Sequence, residues 1–253
     1  ILLNIRSFPK ISIIIPAHNE EKVIQQTIEA LIETKYPKKE IILVDDGRFD
    51  GTLSVAMQYK DKIKVLHKEN GGKASALNYG LIYATGEIIV IVDADTIIGR
   101  HSLKEIVKGF EVNEHVAAVA GNIKVRNRVN WITKCQALEY ITGIQIIRRA
   151  FDTFGSITIV PGALGAFKKV FLKESGAYTK DTIVEDFDQT IKILKAGLTT
   201  QGSSEAMAYT EAPSTLRDFV SQRKRWYRGN IQVVQRHANA LVNPRFGHLH
   251  KLS

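Results

Sequence analysis

Four short runs of apolar, largely β-branched residues punctuate the first hundred positions, at 11–15, 40–44, 63–66 and 87–92. Their nearly continuous apolarity predicts strands covered on both faces. Between these runs the apolar positions change spacing. Val23, Ile28 and Leu31, then Ala74, Leu77 and Leu81, mark the inner faces of helices expected over 20–34 and 73–84, with another over 52–60. Strands alternating with helices of this size build right-handed βαβ units, so the expected fold class is α/β, with a parallel, nucleotide-binding type of layer.

Beyond residue 100 the alternation loosens. A helix over 102–110 and a strand over 116–120 precede a long helical stretch at 131–149, strands at 157–160 and 164–167 around Pro161-Gly162, and a helix over 187–196. No Pro-, Gly- or Ser-rich linker and no repeat separates the two parts. The expected organisation is one domain over 1–230, with halves at about 10–122 and 123–230, followed by a tail over 231–253.

Charge sharpens the division. The chain holds 35 Lys+Arg against 26 Asp+Glu, a formal net charge of +9. Seven of the basic residues and no acid lie from Gln222 onward, leaving +2 for the preceding 221. A near-neutral body argues against nucleic acid as a partner, while the basic end can meet lipid headgroups or a phosphorylated ligand. An apolar content of 44% supports a buried core and excludes a disordered or collagen-like chain. Cys135 is the single cysteine, so neither an internal disulfide framework nor a cysteine zinc site is open to it. The apolar run at 88–92 falls far short of the roughly 20 residues that span a bilayer. Because the chain opens on Ile1 rather than Met, it reads as a piece of something longer.

In an open parallel sheet, ligands bind outside the carboxyl ends of the strands. Each of the four expected strands ends there in polar residues: Pro16-Ala17-His18-Asn19-Glu20, Asp45-Asp46-Gly47, a loop closing on Asn70-Gly71-Gly72-Lys73, and Asp93-Ala94-Asp95. Asp93 and Asp95, two apart in extended chain, point to one side. Their repulsion favours a cation between them, and oxygen donors of this kind suit Mg²⁺ or Mn²⁺. Asp45-Asp46 stand where a carboxylate accepts from a base or ribose. Lys73, opening a helix behind two glycines, favours phosphate, although the stretch matches neither GxGxxG nor the P-loop pattern. Farther on, Val184-Glu185-Asp186 starts a helix whose dipole favours an ionised Asp186, the state a general base needs. Gln222-Arg223-Lys224-Arg225-Trp226 sets guanidiniums beside an indole, suited to a diphosphate and to the face of a sugar or base, or to a membrane surface. Taken singly, each pattern also has an ordinary reading as a turn, a cap or a solvated basic face.

Together these residues resemble the family-2 inverting glycosyltransferases, which have a GT-A fold, and are most similar to the processive membrane synthases of poly-N-acetylglucosamine, chitin, hyaluronan and cellulose. Seven motifs carry the resemblance in order: Ile14-Ile15-Pro16-Ala17-His18-Asn19-Glu20, Val44-Asp45-Asp46-Gly47, Gly72-Lys73-Ala74-Ser75-Ala76-Leu77-Asn78, Asp93-Ala94-Asp95, Pro161-Gly162-Ala163-Leu164-Gly165-Ala166-Phe167, Glu185-Asp186 and Gln222-Arg223-Lys224-Arg225-Trp226. The resemblance implies a Rossmann-like layer with a mixed central sheet and helices on both faces. It implies that Pro16, Ala17, Glu20, Asp45, Asp46, Lys73 and Asp93 line the donor side of a UDP-sugar, such as UDP-N-acetylglucosamine or UDP-glucose. Asp95 would bind Mg²⁺ or Mn²⁺, and Asp186 would deprotonate the attacking hydroxyl. Gly162, Ala163, Glu185, Gln222, Arg225 and Trp226 would serve the acceptor and the leaving diphosphate.

Inversion would give a β-linked product on a glycan or lipid-linked acceptor. The family usually places a small hydroxylated residue after Asp45-Asp46-Gly47, whereas Arg48-Phe49 stand here. The expected setting is the cytoplasmic face of a membrane, reached through the basic tail and through segments outside this chain. Two rival classes are a nucleotidyltransferase, which would need an early glycine-rich triphosphate loop that is not found, and a non-catalytic basic module binding membrane or nucleic acid.

Overall fold

A computed structural model of the chain describes residues 8–47, 49–142 and 157–242. The first part alternates as expected: β1 (Ile11–Ala17), α1 (Ile24–Glu33), β2 (Lys39–Asp46), α2 (Thr52–Met57), β3 (Lys64–Lys68), α3 (Lys73–Tyr83) and β4 (Ile88–Ile91). β1 pairs in parallel with β2 and β4, and β2 with β3. On one face Ile13, Ile15, Leu43 and Val90 pack with Ile24, Ile28 and Leu31 of α1. On the other, Ile14, Ile42, Val44 and Ile89 pack with Leu77 and Leu81 of α3. Cover on both sides is why β1, β2 and β4 read as nearly continuous apolar runs, whereas β3, expected to be covered as well, lies at the sheet edge and is part exposed.

Then follow β5 (Ile97–Ile98), α4 (Ser102–Lys108), β6 (Val116–Val125), α5 (Trp131–Glu139), β7 (Gly165–Lys168), α6 (Lys169–Glu174), α7 (Glu185–Lys195), β8 (Thr199–Thr210), α8 (Leu216–Arg236) and α9 (Ala238–Val242). The strands among the described residues form one sheet, ordered β3-β2-β1-β4-β7-β6-β8-β5. β7 is antiparallel to β4 and β6, β8 parallel to β6, and β5 antiparallel to β8, so the sheet is mixed. Four interstrand spacings of about 4.8 Å separate β4 from β5 along the sheet. Only residues 92–96 join them, and a turn closed by Thr96 N–H on the Asp93 carbonyl shortens that link. The sheet therefore curls, and the end of β8 comes back to the link, with the Thr210 hydroxyl 3.3 Å from Asp95 Oδ1.

Several expectations are corrected. The run at 157–160 forms no strand, because side chains take its backbone bonds: Val160 N–H donates to Thr190 Oγ1 at 3.0 Å, and the Ile157 carbonyl accepts from Thr200 Oγ1 at 2.9 Å. The helix expected over 131–149 is α-helical only to Glu139, and its part over 143–149 lies outside the described residues. α8 runs straight through the expected boundary at 230, and Val233 and Ala240 are buried with Val184, Ile191 and Leu194; residues 243–253 of the expected tail lie outside the described residues. Among the described residues no helix is long and apolar enough to cross a membrane.

Candidate active site

Parallel pairing in register brings the carboxyl ends of β1, β2 and β3 together, with Ala17 opposite Asp45 and Asp45 opposite His67. Asp45 is fully buried, its Oδ2 2.6 Å from Nδ1 of half-exposed His67. Asp46 is 3% exposed; it pairs with Lys68 Nζ at 2.5 Å and accepts from Gly71 N–H at 3.0 Å, which ties down the loop ahead of α3. Gly72 closes that loop at φ +81°, a conformation that side chains with a Cβ avoid, and α3 then starts at Lys73. His18 Nδ1 lies 2.9 Å from the Asp46 carbonyl, so the loops after β1 and β2 are joined. Phe49 N–H donates to Asn19 Oδ1 at 3.1 Å while its ring is 95% exposed. Arg48 lies outside the described residues.

Lys73 stands at the centre. Its Nζ is 2.7 Å from Asp93 Oδ1 and 3.1 Å from Glu185 Oε1, so one ammonium joins α3, the segment after β4 and the start of α7. Burial alone would lower the lysine's pKa, but Asp93 and Glu185 outweigh it and hold it well above the usual range. Gly162 fits against this ammonium, since an added Cβ would lie 2.6 Å from Nζ. Gly162 N–H also reaches toward Asp186 Oδ2 at 3.4 Å, which sets Pro161-Gly162-Ala163 beside Glu185-Asp186.

Three carboxylates here share a raised pKa. Burial and then Glu185 push Asp186 up to about 6, against the pull of Lys73. Asp95 is raised by burial and by Asp93. Glu20 is pushed up to about 7 by burial, then by Asp95 and Asp93. Asp93 thus repels Asp95, and both repel Glu20, a repulsion that a cation would relieve. Among the described residues no three His, Cys, Asp or Glu side chains are grouped to hold a metal by themselves. A hard cation held by one or two carboxylates plus ligand oxygens fits this donor set.

From α8, Trp226 packs against the main core cluster. Gln222 Oε1 is buried without a hydrogen-bond partner among the described residues, an acceptor open to a ligand hydroxyl. Arg223 stacks on Trp226 and Phe219, with its carbon 4.4 and 4.9 Å from the ring centroids, and pairs with Glu139 of α5. Arg225 is exposed.

Other residues at this cleft carried no assigned role in the sequence. Asn78 brackets the Tyr178 backbone, Nδ2 donating to its carbonyl at 2.7 Å and Oδ1 accepting its N–H at 3.0 Å. A lone amide in an apolar helix was the available signal. Tyr178 is buried near Glu185 and Lys73, and burial lifts its pKa well above the usual range. Tyr140, pushed up to about 12 mainly by burial, lies within the influence of Asp95 and Asp93. Thr210 ends a strand that no apolar run announced.

The glycosyl transferase family 2 model matches residues 12–176, more than half of the chain. Among curated proteins, a poly-β-1,6-N-acetyl-D-glucosamine synthase of Staphylococcus epidermidis is 32% identical over 229 residues, covering 89% of this chain and 56% of that protein. The Staphylococcus aureus (strain COL) protein of the same name is 31% identical over 237 residues, covering 92% and 58%. The chain thus spans little more than half the length of these relatives. Among solved structures, a mannosyltransferase from Pyrobaculum calidifontis in complex with GDP-mannose and Mn²⁺ is 26% identical, with a TM-score of 0.76 over 96% of this chain and 68% of that one. S. aureus TarS in complex with UDP-GlcNAc shares the fold at 20% identity, with a TM-score of 0.61 over 81% of this chain and 59% of that one.

Proposed function

The chain belongs to glycosyl transferase family 2, and on that footing we propose that it moves a sugar from a UDP-sugar to a hydroxyl of a glycan or lipid-linked acceptor, with inversion to a β-linkage. The observation that carries this reading is one cleft in which Lys73 touches both Asp93 and Glu185, and Gly162 touches Asp186. The relatives named as poly-β-1,6-N-acetyl-D-glucosamine synthases favour UDP-N-acetylglucosamine as donor, with UDP-glucose next to test.

In this scheme Asp186 takes the proton of the attacking hydroxyl. A pKa near 6 leaves it ionised at neutral pH yet still basic, as a general base requires. Pro16, Ala17, Glu20, Asp45 and Asp46 line the nucleoside edge. Asp95, with Asp93, holds Mg²⁺ or Mn²⁺, which when bound supplies positive charge to the leaving diphosphate. Lys73 adds its own charge on that side, and Glu185 fixes where that ammonium sits. Gly162 and Ala163 leave room for the acceptor sugar. Gln222, Arg225 and Trp226 close its far side, the indole presenting a flat apolar face.

The same reading sets α8 against the cytoplasmic face of a membrane. Leu216, Val220, Tyr227, Ile231 and Val234 are exposed and, at helical spacing, share one face flanked by Arg217, Lys224 and Arg228. Co-sedimentation with anionic but not with neutral vesicles is the expected outcome.

The reaction is tested with UDP-N-acetylglucosamine, UDP-glucose and GDP-mannose as donors, each with Mn²⁺ or Mg²⁺, following nucleotide release and sugar incorporation. UDP release that needs a divalent cation is expected. Pyrophosphate formation from UTP and a sugar phosphate, or turnover of no donor, overturns the reading.

A further inference from the structure

Asp188 lies two residues beyond the proposed base, in the first turn of α7, and none of the chemistry above uses it. It is fully buried. His237 Nε2 stands 2.9 Å from its Oδ1, Lys192 Nζ 3.0 Å from its Oδ2, and the Arg236 guanidinium 3.7 Å away while also pairing with Asp181 at 3.2 Å. Burial would raise this carboxylate, but hydrogen bonds from His237 and Lys192 hold it well below the usual range. Lys195 Nζ lies 3.4 Å from His237 Nδ1. An ammonium has no acceptor to offer, so Nδ1 is the accepting nitrogen and Nε2–H donates to Asp188.

His237 directly follows α8, the helix that carries Gln222, Arg225 and Trp226. That helix has a thin apolar hold, for of its 21 residues only Gly229 and Val233 are buried. Gly229 lets it come so close that an added Cβ would lie 2.7 Å from Val184, the residue before α7. Lys192, the second partner of Asp188, also donates to the Ala177 carbonyl at 3.1 Å and to the Thr179 hydroxyl. Between those two residues lies Tyr178, bracketed by Asn78 of α3. Asp188 is therefore where a line of polar contacts from the donor-side helix α3 meets the C-terminal end of α8.

We propose that Asp188 is a positioning residue: through His237 it mounts α8 on the first turn of α7, so that Gln222 and Trp226 keep a set distance from Asp186. Its effect on turnover rests on the transferase reading; the mounting itself does not. A misplacement of about 1 Å by a change remote from the reacting atoms costs on the order of 100-fold in rate.

The chain has two tryptophans, so Trp131→Phe leaves Trp226 as the sole indole reporter of where α8 sits. In that background Asp188→Asn, His237→Leu and His237→Gln are compared in the full chain by Trp226 emission, kcat and UDP affinity. Asp188→Asn and His237→Leu are expected to shift the emission and to lower kcat by roughly 10- to 100-fold with UDP affinity unchanged. His237→Gln, whose amide can still donate to Asp188, restores both. If Asp188→Asn does not fold, the two His237 variants decide the matter. A lower melting temperature with wild-type emission and wild-type kcat per folded molecule would overturn the proposal. If the parent chain released UDP from no donor, the reaction assignment would fall, and Trp226 emission would still decide the mounting.

Discussion

The two sides of the cleft are held by different means. On the proposed donor side Asp45 and Asp46 end β2 and are fixed by backbone pairing to β1 and β3, and Asp93 follows β4 two residues past its last paired residue, Ile91. On the proposed acceptor side Asp186 and Trp226 ride on α7 and α8, and α8 is gripped by two buried residues, the half-buried Trp226, the Arg223–Glu139 pair and the ion cluster around Asp188. A strand inside a sheet is located by its backbone, whereas a surface helix is located only by what its side chains hold. Loss of single contacts should therefore spare donor binding and disturb the acceptor geometry.

The sharpest contrast comes from Asp186→Asn, expected to lower transfer by about 10²–10⁴-fold while isothermal titration finds UDP still bound. Equal loss of both would mean that the halves are not separable. Gly229→Ala comes next: with its new Cβ 2.7 Å from Val184, it should push α8 outward and cost roughly tenfold or more in kcat, again without weakening UDP. The matching change on the donor side is Gly80→Ala in α3, whose Cβ would lie 2.6 Å from Ile14 Cγ2. Overpacking there should cost about 1–3 kcal/mol in urea unfolding and leave turnover per folded molecule as it was.

Acid titration separates two aspartates of one helical turn. In the proposed role Asp186 acts ionised, so kcat should climb as pH rises through about 6 and then level. Its pKa is raised on folding, so its contribution to stability favours low pH and declines as pH rises from the usual Asp range through about 6. Asp188 is lowered on folding, so its contribution is present above the usual Asp range and is lost as pH falls below it. Unfolding followed from pH 3 to 7 in Asp186→Asn and Asp188→Asn should therefore change slope in opposite directions.

This contrast also explains what the sequence made legible. Strands covered on both faces leave nearly continuous apolar runs, so β1, β2 and β4 could be bounded closely, while β3 at the sheet edge is part exposed; parallel pairing then collects the ends of all four on one edge. β8 offered no such run, since Thr199–Thr210 is mostly small and polar and is held by pairing to β6 and β5. The run at 157–160 misled because its apolarity reflects burial alone, with Thr190 and Thr200 taking the backbone bonds. In the site, Lys73 was legible as a cation at a helix start, but not as the group that reaches Glu185 across the cleft. Asp188, two positions past Asp186, carried no signal of its own in the sequence. Its partner His237 lies 49 positions on, and no local pattern links the two.

Residues 92–96 leave the middle of the sheet and re-enter it at the opposite margin, so Asp93 and Asp95 ride on a strap anchored at both ends. Ile91 is laced to Gly165 at one anchor and Ile97 to Tyr209 at the other. Tension placed on the strap by an incoming charge must be passed into those two lacings. Slowed isotopic exchange at the Ile97 and Ile98 amides would then register occupancy of the cleft.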